Sequence, residues 1–147
     1  MSLYGVRMNS SENSEKLLEV ARAEAKRLGH RYVGTEHLLL AVSRDPTVGE
    51  ILTKLHLEPE DLQSQVDAFV ISTGALDSDE VVPVSPRAQK ALDQSIDEAN
   101  ALLVESPAPI HVLLALAGDE EGVAARVLEE FAIDYASIQR FLVNRSV

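Results

Sequence analysis

The strongest constraint on this chain is a nine-residue stretch that occurs twice. Gly34-Thr35-Glu36-His37-Leu38-Leu39-Leu40-Ala41-Val42 returns, altered, as Ala108-Pro109-Ile110-His111-Val112-Leu113-Leu114-Ala115-Leu116. Lys16 and Lys90, Leu18 and Leu92, Glu24 and Glu98, Ala25 and Ala99, and His37 and His111 are all 74 positions apart. Past a loop that gains two residues in the second copy the spacing becomes 76, which sets Leu52 on Leu128, Leu55 on Phe131, Leu57 on Ile133 and Leu62 on Ile138. Insertions are tolerated in loops because they disturb no packed face. A register of this kind describes a tandem of one supersecondary unit.

Each unit has helical periodicity. Leu17, Leu18, Ala21, Ala25 and Leu28 form one stripe and Lys16, Glu19, Arg22 and Lys26 the opposite face, with Gly29 suited to the left-handed residue after the last turn. The spacing predicts a start near Glu12 behind Ser11 as N-cap, and Met1 to Ser10, which carries no period, reads as a flexible tail over 1–10. Thr35 reads as the N-cap of a second helix from Glu36 to Ser43, stopped by Asp45-Pro46. Val48, Ile51, Leu52 and Leu55 mark a short third helix. Pro59 suits the first turn of a fourth, whose buried face is Leu62, Val66 and Phe69.

Ser72 to Val84 holds Gly74, the acidic run Asp77-Ser78-Asp79-Glu80 and Pro83, and reads as a solvated linker in which Val81 to Val84 can extend locally. Ser85-Pro86 opens the second unit with a cap and a first-turn proline. Ala88, Ala91, Leu92, Ser95, Ala99 and Leu102 face inward, and helices over Ile110 to Ala117, Val123 to Phe131 and beyond a capping Asp134 follow. The expected fold class is all-α. Two four-helix repeats, 11–71 and 85–143, are joined by linker 72–84 in one domain over 11–147, related by a pseudo-twofold and held together through their two most apolar helices.

At 147 residues and 46% hydrophobic, the chain can bury one core or two small joined ones. A net charge of −11 with scattered basic residues argues against nucleic acid, which requires clustered cations, and 4% aromatics offer no platform for bases. No apolar run reaches the roughly 20 residues that span a bilayer. Without cysteine there are no disulfides and no thiolate chemistry. His37 and His111 fall early in apolar helices, where a buried histidine holding a loop carbonyl is the expected role, and His30 and His56 stand singly at helix ends. No His-x-x-x-His or Glu-x-x-His spacing announces a metal. Gly118-Asp119-Glu120-Glu121-Gly122 places acids where a phosphate cradle needs open backbone and a lysine. No metal, no cofactor, no catalytic residue and no enzymatic activity are expected.

Three segments carry a resemblance. Arg27-Leu28-Gly29-His30-Arg31-Tyr32-Val33-Gly34-Thr35-Glu36-His37-Leu38-Leu39-Leu40, Ser85-Pro86-Arg87-Ala88-Gln89-Lys90-Ala91-Leu92 and Glu121-Gly122-Val123-Ala124-Ala125-Arg126-Val127-Leu128-Glu129-Glu130 resemble the amino-terminal domain of the Clp family of ATP-driven protein unfoldases, of the ClpC and ClpA type. The similarity runs from about Ser11 to Val143. It implies eight helices in two pseudo-repeats and a docking platform in cytoplasmic protein quality control. The partners it implies are Clp ATPase and protease components, adaptors or substrate proteins, with no nucleic acid or membrane and a monomer in isolation.

The resemblance also implies recognition of phosphoarginine by the Gly-Thr-Glu-His segment, which makes Thr35, Glu36 and His37 the candidate binding residues. Glu36 would fork onto the guanidinium while N–H groups at the helix start take the phosphate. On the plainer reading, Thr35 caps the helix and Glu36 complements its dipole. The second copy has Pro109 and Ile110 at these places, so at most one such site is expected. A helical regulatory or small-ligand module built on the same scaffold is the competing reading, because fold does not determine function.

Overall fold

The computed structural model describes residues 2–71, 74 and 81–146, with side chains over 15–143 within those spans. Among the described residues eight helices follow one another: α1 Ser2–Arg27, α2 Thr35–Val42, α3 Pro46–Lys54, α4 Pro59–Phe69, α5 Pro86–Ala101, α6 Pro109–Gly118, α7 Val123–Glu129 and α8 Tyr135–Ser146. Among the described residues no strand occurs. The expected all-α architecture is the one observed.

The helix ends repeat with the register of the sequence. Gly29, His56, Leu103 and Ala132 adopt φ of 78°, 70°, 61° and 59°, directly after the last turns of α1, α3 and α5 and two residues past the cap Glu130 of α7. In each case the next amide reaches back into the helix: His30 to Ala25 O, Leu57 to Leu52 O, Val104 to Ala99 O and Ile133 to Leu128 O, at 2.8–3.0 Å. This is the six-to-one closure that satisfies otherwise orphaned carbonyls. Gly29 pairs with Leu103 and His56 with Ala132 at the two spacings read from the sequence.

α2 and α6 form the centre. Every residue of α2 except Glu36 is buried, and so is His111 to Ala117 of α6. The two helices pack on each other, and reciprocally α2 packs on α7 while α6 packs on α3. That exchange is the arrangement a twofold relation between copies produces. Leu38, Leu39, Leu113, Leu114 and Leu116 are almost fully buried. Each contributes about 1.5–3 kcal/mol by leaving water.

Four expectations need correction. α1 begins at Ser2, so Ser11 lies inside a helix and is not its cap; with no proline from Ser2 to Arg27, extending an existing helix costs far less than starting one. Phe69 and Leu102, read as inward-facing, are 40% and 37% exposed, because both sit where their helices end and the next elements turn away. Thr35 is the first residue of α2, and Gly34 is its N-cap.

The acidic run 77–80 lies outside the described residues. The end of the linker is extended, as Val81 to Val84 allowed, and pinned to the first copy. Val33 N donates to Pro83 O at 2.8 Å and Ser85 N to Val33 O at 2.9 Å, a parallel bridge. Arg22 Nε donates to Val82 O at 3.0 Å, and Val82 is buried.

Candidate functional site

The start of α2 brings Thr35, Glu36 and His37 into three different environments. Thr35 is buried, and its hydroxyl oxygen accepts from Ala124 N at 3.2 Å. Gly122, the N-cap of α7, has no side chain with which to cap, so an oxygen from the other copy fills that role. Thr35 thus caps a helix, as expected of it, but not its own.

His37 is also buried, and its Nδ1 accepts from Gly34 N at 2.8 Å. In the second copy His111 Nδ1 accepts from Ala108 N at 2.7 Å. Both histidines therefore hold a loop N–H, and the expected contact to a loop carbonyl is corrected. The difference matters chemically. A ring nitrogen that accepts carries no proton, so the ring must be neutral. Burial, then the neighbouring His30 and Arg27, push His37 down to about 4 against the opposing pull of Glu24. Burial likewise lowers His111, with Glu98 opposing.

The Arg27–Gly34 turn lays His30 against His37, with His30 Nδ1 2.8 Å from His37 Nε2 and His30 Nε2 2.7 Å from Ile71 O. The end members settle the tautomers, since Gly34 N can only donate and Ile71 O can only accept. His37 Nε2–H donates to His30 Nδ1, and His30 Nε2–H donates to Ile71 O. This relay ties the loop before α2 to the chain leaving α4. His30, Glu36 and His37 offer ligand atoms all within 4.8 Å of one another, a grouping the sequence spacing did not announce. In the relay, however, His37 has no free lone pair: one nitrogen accepts from Gly34 and the other carries a proton.

Glu36 is half-buried and makes no hydrogen bond or ion pair among the described residues. Its carboxylate folds back over Gly34, where an added Cβ would collide with Oε1 and lie 3.0 Å from Cδ. Gly34 has φ of −99°, open to any residue, so no special backbone shape requires glycine there, and a Cβ would displace only the end of the Glu36 side chain. Of the three candidates, Glu36 alone presents an unused charged group. At the equivalent place in the second copy, Pro109 takes the first helical position and Ile110 packs against the core.

Sequence reasoning missed His30 and the buried Glu24. Glu24 forms ion pairs with both Arg27 and Arg44, each at 3.2 Å. The signal for Glu24 was its match with Glu98 across the repeat. No local signal existed for His30, whose partner lies beyond a turn.

Comparison with known proteins agrees with this architecture. The family model of the Clp repeat (R) N-terminal domain matches residues 9–131 and 83–145. The ClpC/MecB negative regulator of genetic competence of Bacillus subtilis (strain 168) is 37% identical over 125 residues, 84% of this chain and 15% of the relative. The ClpA homolog of Porphyra purpurea, an ATP-binding subunit of the ATP-dependent Clp protease, is 35% identical over 136 residues, 91% of this chain. This chain spans about 16% of that relative's length. Among solved structures, the N-terminal domain of the chaperone ClpD from Arabidopsis thaliana superposes with a TM-score of 0.70 at 21% identity, covering 91% of this chain and 92% of that one. The Hsp104 N-terminal domain of Candida albicans gives 0.69 at 19% identity, covering 88% and 85%. No helix among the described residues is long and apolar enough to cross a membrane. With its two matching repeats and eight helices, the chain belongs to the Clp repeat N-terminal domain family.

Proposed function

We propose that this domain captures substrate or adaptor proteins for a Clp chaperone and protease machine in the cytoplasm, without chemistry of its own, and that the first copy recognises phosphoarginine. The observation that carries the reading is Glu36, a half-buried carboxylate at the start of a helix with no partner among the described residues. A guanidinium supplies the missing partner through a charge-assisted fork, and the N–H groups of the helix start receive the phosphate. Thr35 and His37 serve as positioning residues, one fixing α2 to α7 and the other holding the loop on which the ligand would rest.

Calorimetric titration with phosphoarginine tests this. Glu36→Ala removes a charged hydrogen-bond partner worth about 1.5–3 kcal/mol, so affinity falls more than about tenfold while the fold is kept. Equal, weak binding by wild type and variant would sink the anion-recognition reading and leave a surface that docks proteins through apolar and shape contacts.

A further inference from the structure

The first copy contains a clamp of two arginines on one glutamate that the second copy lacks. Glu24 is 5% exposed and sits between Arg27 and Arg44. The 74-residue register carries Glu24 to Glu98, Arg27 to Ala101 and Arg44 to Gly118, and the next residue, Asp45, to Asp119. The carboxylate is retained and both cations are gone. Glu98 and Gly118 line one open groove of about 940 Å³ between α5, the end of α6, α7 and the start of α8.

The floor of the groove is small and apolar, with Ala91, Ala115, Ala117 and Ile133. Among the described residues its lining carries five carboxylates, Glu98, Asp119, Glu120, Glu129 and Asp134, and the cation Lys90, with Arg87 bonded to Asp119 beside it. Three of the five have partners within the chain: Arg87 Nη1 donates to Asp119 at 2.8 Å, Ser137 N donates to Asp134 at 2.8 Å, and Tyr135 holds one oxygen of Glu98. Tyr135 OH donates to Glu98 Oε1 at 2.6 Å, which leaves Glu98 Oε2 without a partner among the described residues.

We propose that this groove binds an arginine side chain of a partner protein, the guanidinium taking at Glu98 the place that Arg44 takes at Glu24. A planar guanidinium can offer two N–H groups to one carboxylate, which the point charge of lysine cannot reproduce. The Tyr135 ring gives the cation a π face, and the alanine floor accommodates the methylene stem. A net charge of −11 draws cations to the groove, whereas the acidic rim repels a phosphate. The ligand is therefore an unmodified arginine, chemically distinct from the ligand proposed for Glu36.

The test is an amide-resolved NMR titration of the 147-residue chain with Nα-acetyl-arginine amide. Saturable shifts are expected at Glu98, Gly118 and Tyr135, with a Kd of about 1 mM. The citrulline analogue, which has the shape without the charge, should bind at least about tenfold more weakly, a loss of about 1.4 kcal/mol. Glu98→Gln still accepts from Tyr135 and should abolish the shifts in a folded protein. Gly118→Arg restores the internal arginine; a Cβ there meets the Tyr135 ring at an ordinary 3.4 Å, and the variant should block the titration and raise Tm. Glu36→Ala should leave the shifts intact, which separates this groove from the first-copy site. Absence of saturable shifts in wild type, their persistence in Glu98→Gln, or equal response to the citrulline analogue would each overturn the proposal.

Discussion

Val48 and Ala124 occupy equivalent positions at the starts of α3 and α7, and their amides find oxygens from very different places. Val48 N donates to Asp45 Oδ2, three residues back, at 3.1 Å. Ala124 N donates to the hydroxyl of Thr35, 89 residues away, at 3.2 Å. The first copy caps its third helix locally, while the second depends on its neighbour. The carboxylates diverge in the same spirit. The first copy neutralises Glu24 internally and leaves Glu36 unpaired; the second has Ile110 in place of Glu36 and leaves Glu98 half-paired. The two copies share the scaffold residues, and each leaves a different acid short of a partner among the described residues.

The largest expected effect tests whether two such copies form one cooperative unit. Leu39→Ala and Leu113→Ala, at equivalent sites on the two central helices, should each cost about 2–5 kcal/mol. Urea unfolding followed by circular dichroism should remain a single transition in both, because each helix is buried against the other copy. Two separable transitions would show that the copies stand independently.

Acid should separate the two buried histidines. His37 is held at about 4 in the folded chain, below its ordinary 6.5, so the unfolded chain binds more protons between those values. Stability is therefore complete above about pH 6.5 and falls by about 3 kcal/mol as pH drops to about 4. His37→Asn, whose Oδ1 can accept from Gly34 N, should remove that slope. His111→Asn should remove a shallower slope of the same sign, because no second imidazole presses on His111 and Glu98 opposes its shift. Urea midpoints at pH 7.5 and 4.5 decide the matter; equal midpoints for wild type at the two pH values would contradict it.

Cap exchange gives a smaller effect with a local address. Thr35→Val and Asp45→Ala should each cost about 1 kcal/mol. Hydrogen exchange should speed up in α7 for the first and in α3 for the second. Faster exchange confined to α2 in Thr35→Val would mean that its hydroxyl serves its own helix after all.

The smallest effect concerns Gly29 and its counterpart Leu103. Leu103 is 95% exposed at φ 61°, so it gains no packing from a conformation that penalises a Cβ. Leu103→Gly should stabilise by about 0.5–1 kcal/mol, since relief of roughly 1–2 kcal/mol of backbone strain outweighs the added chain entropy. Gly29→Leu should destabilise by a similar amount. Thermal melts read both, and a lower Tm for Leu103→Gly would show that the strain is absent.

What the sequence determined by itself was the repeat, its shift from 74 to 76, and the eight helices with most of their buried faces. Those properties depend on neighbours three and four residues apart and on caps such as Asp45, Ser85 and Asp134, which act on amides three residues away. Glu36 was legible for the same reason, as a carboxylate in the first turn of an apolar helix. Only the tertiary structure decided that Thr35 caps α7, that His30 completes a relay from Gly34 to Ile71, that Val82 to Val84 bind the linker to the first copy, and that Glu98 faces a groove. A helical stripe shows which face must be buried but not what lies across from it. Partners 41, 60 or 89 residues away meet only when whole helices dock.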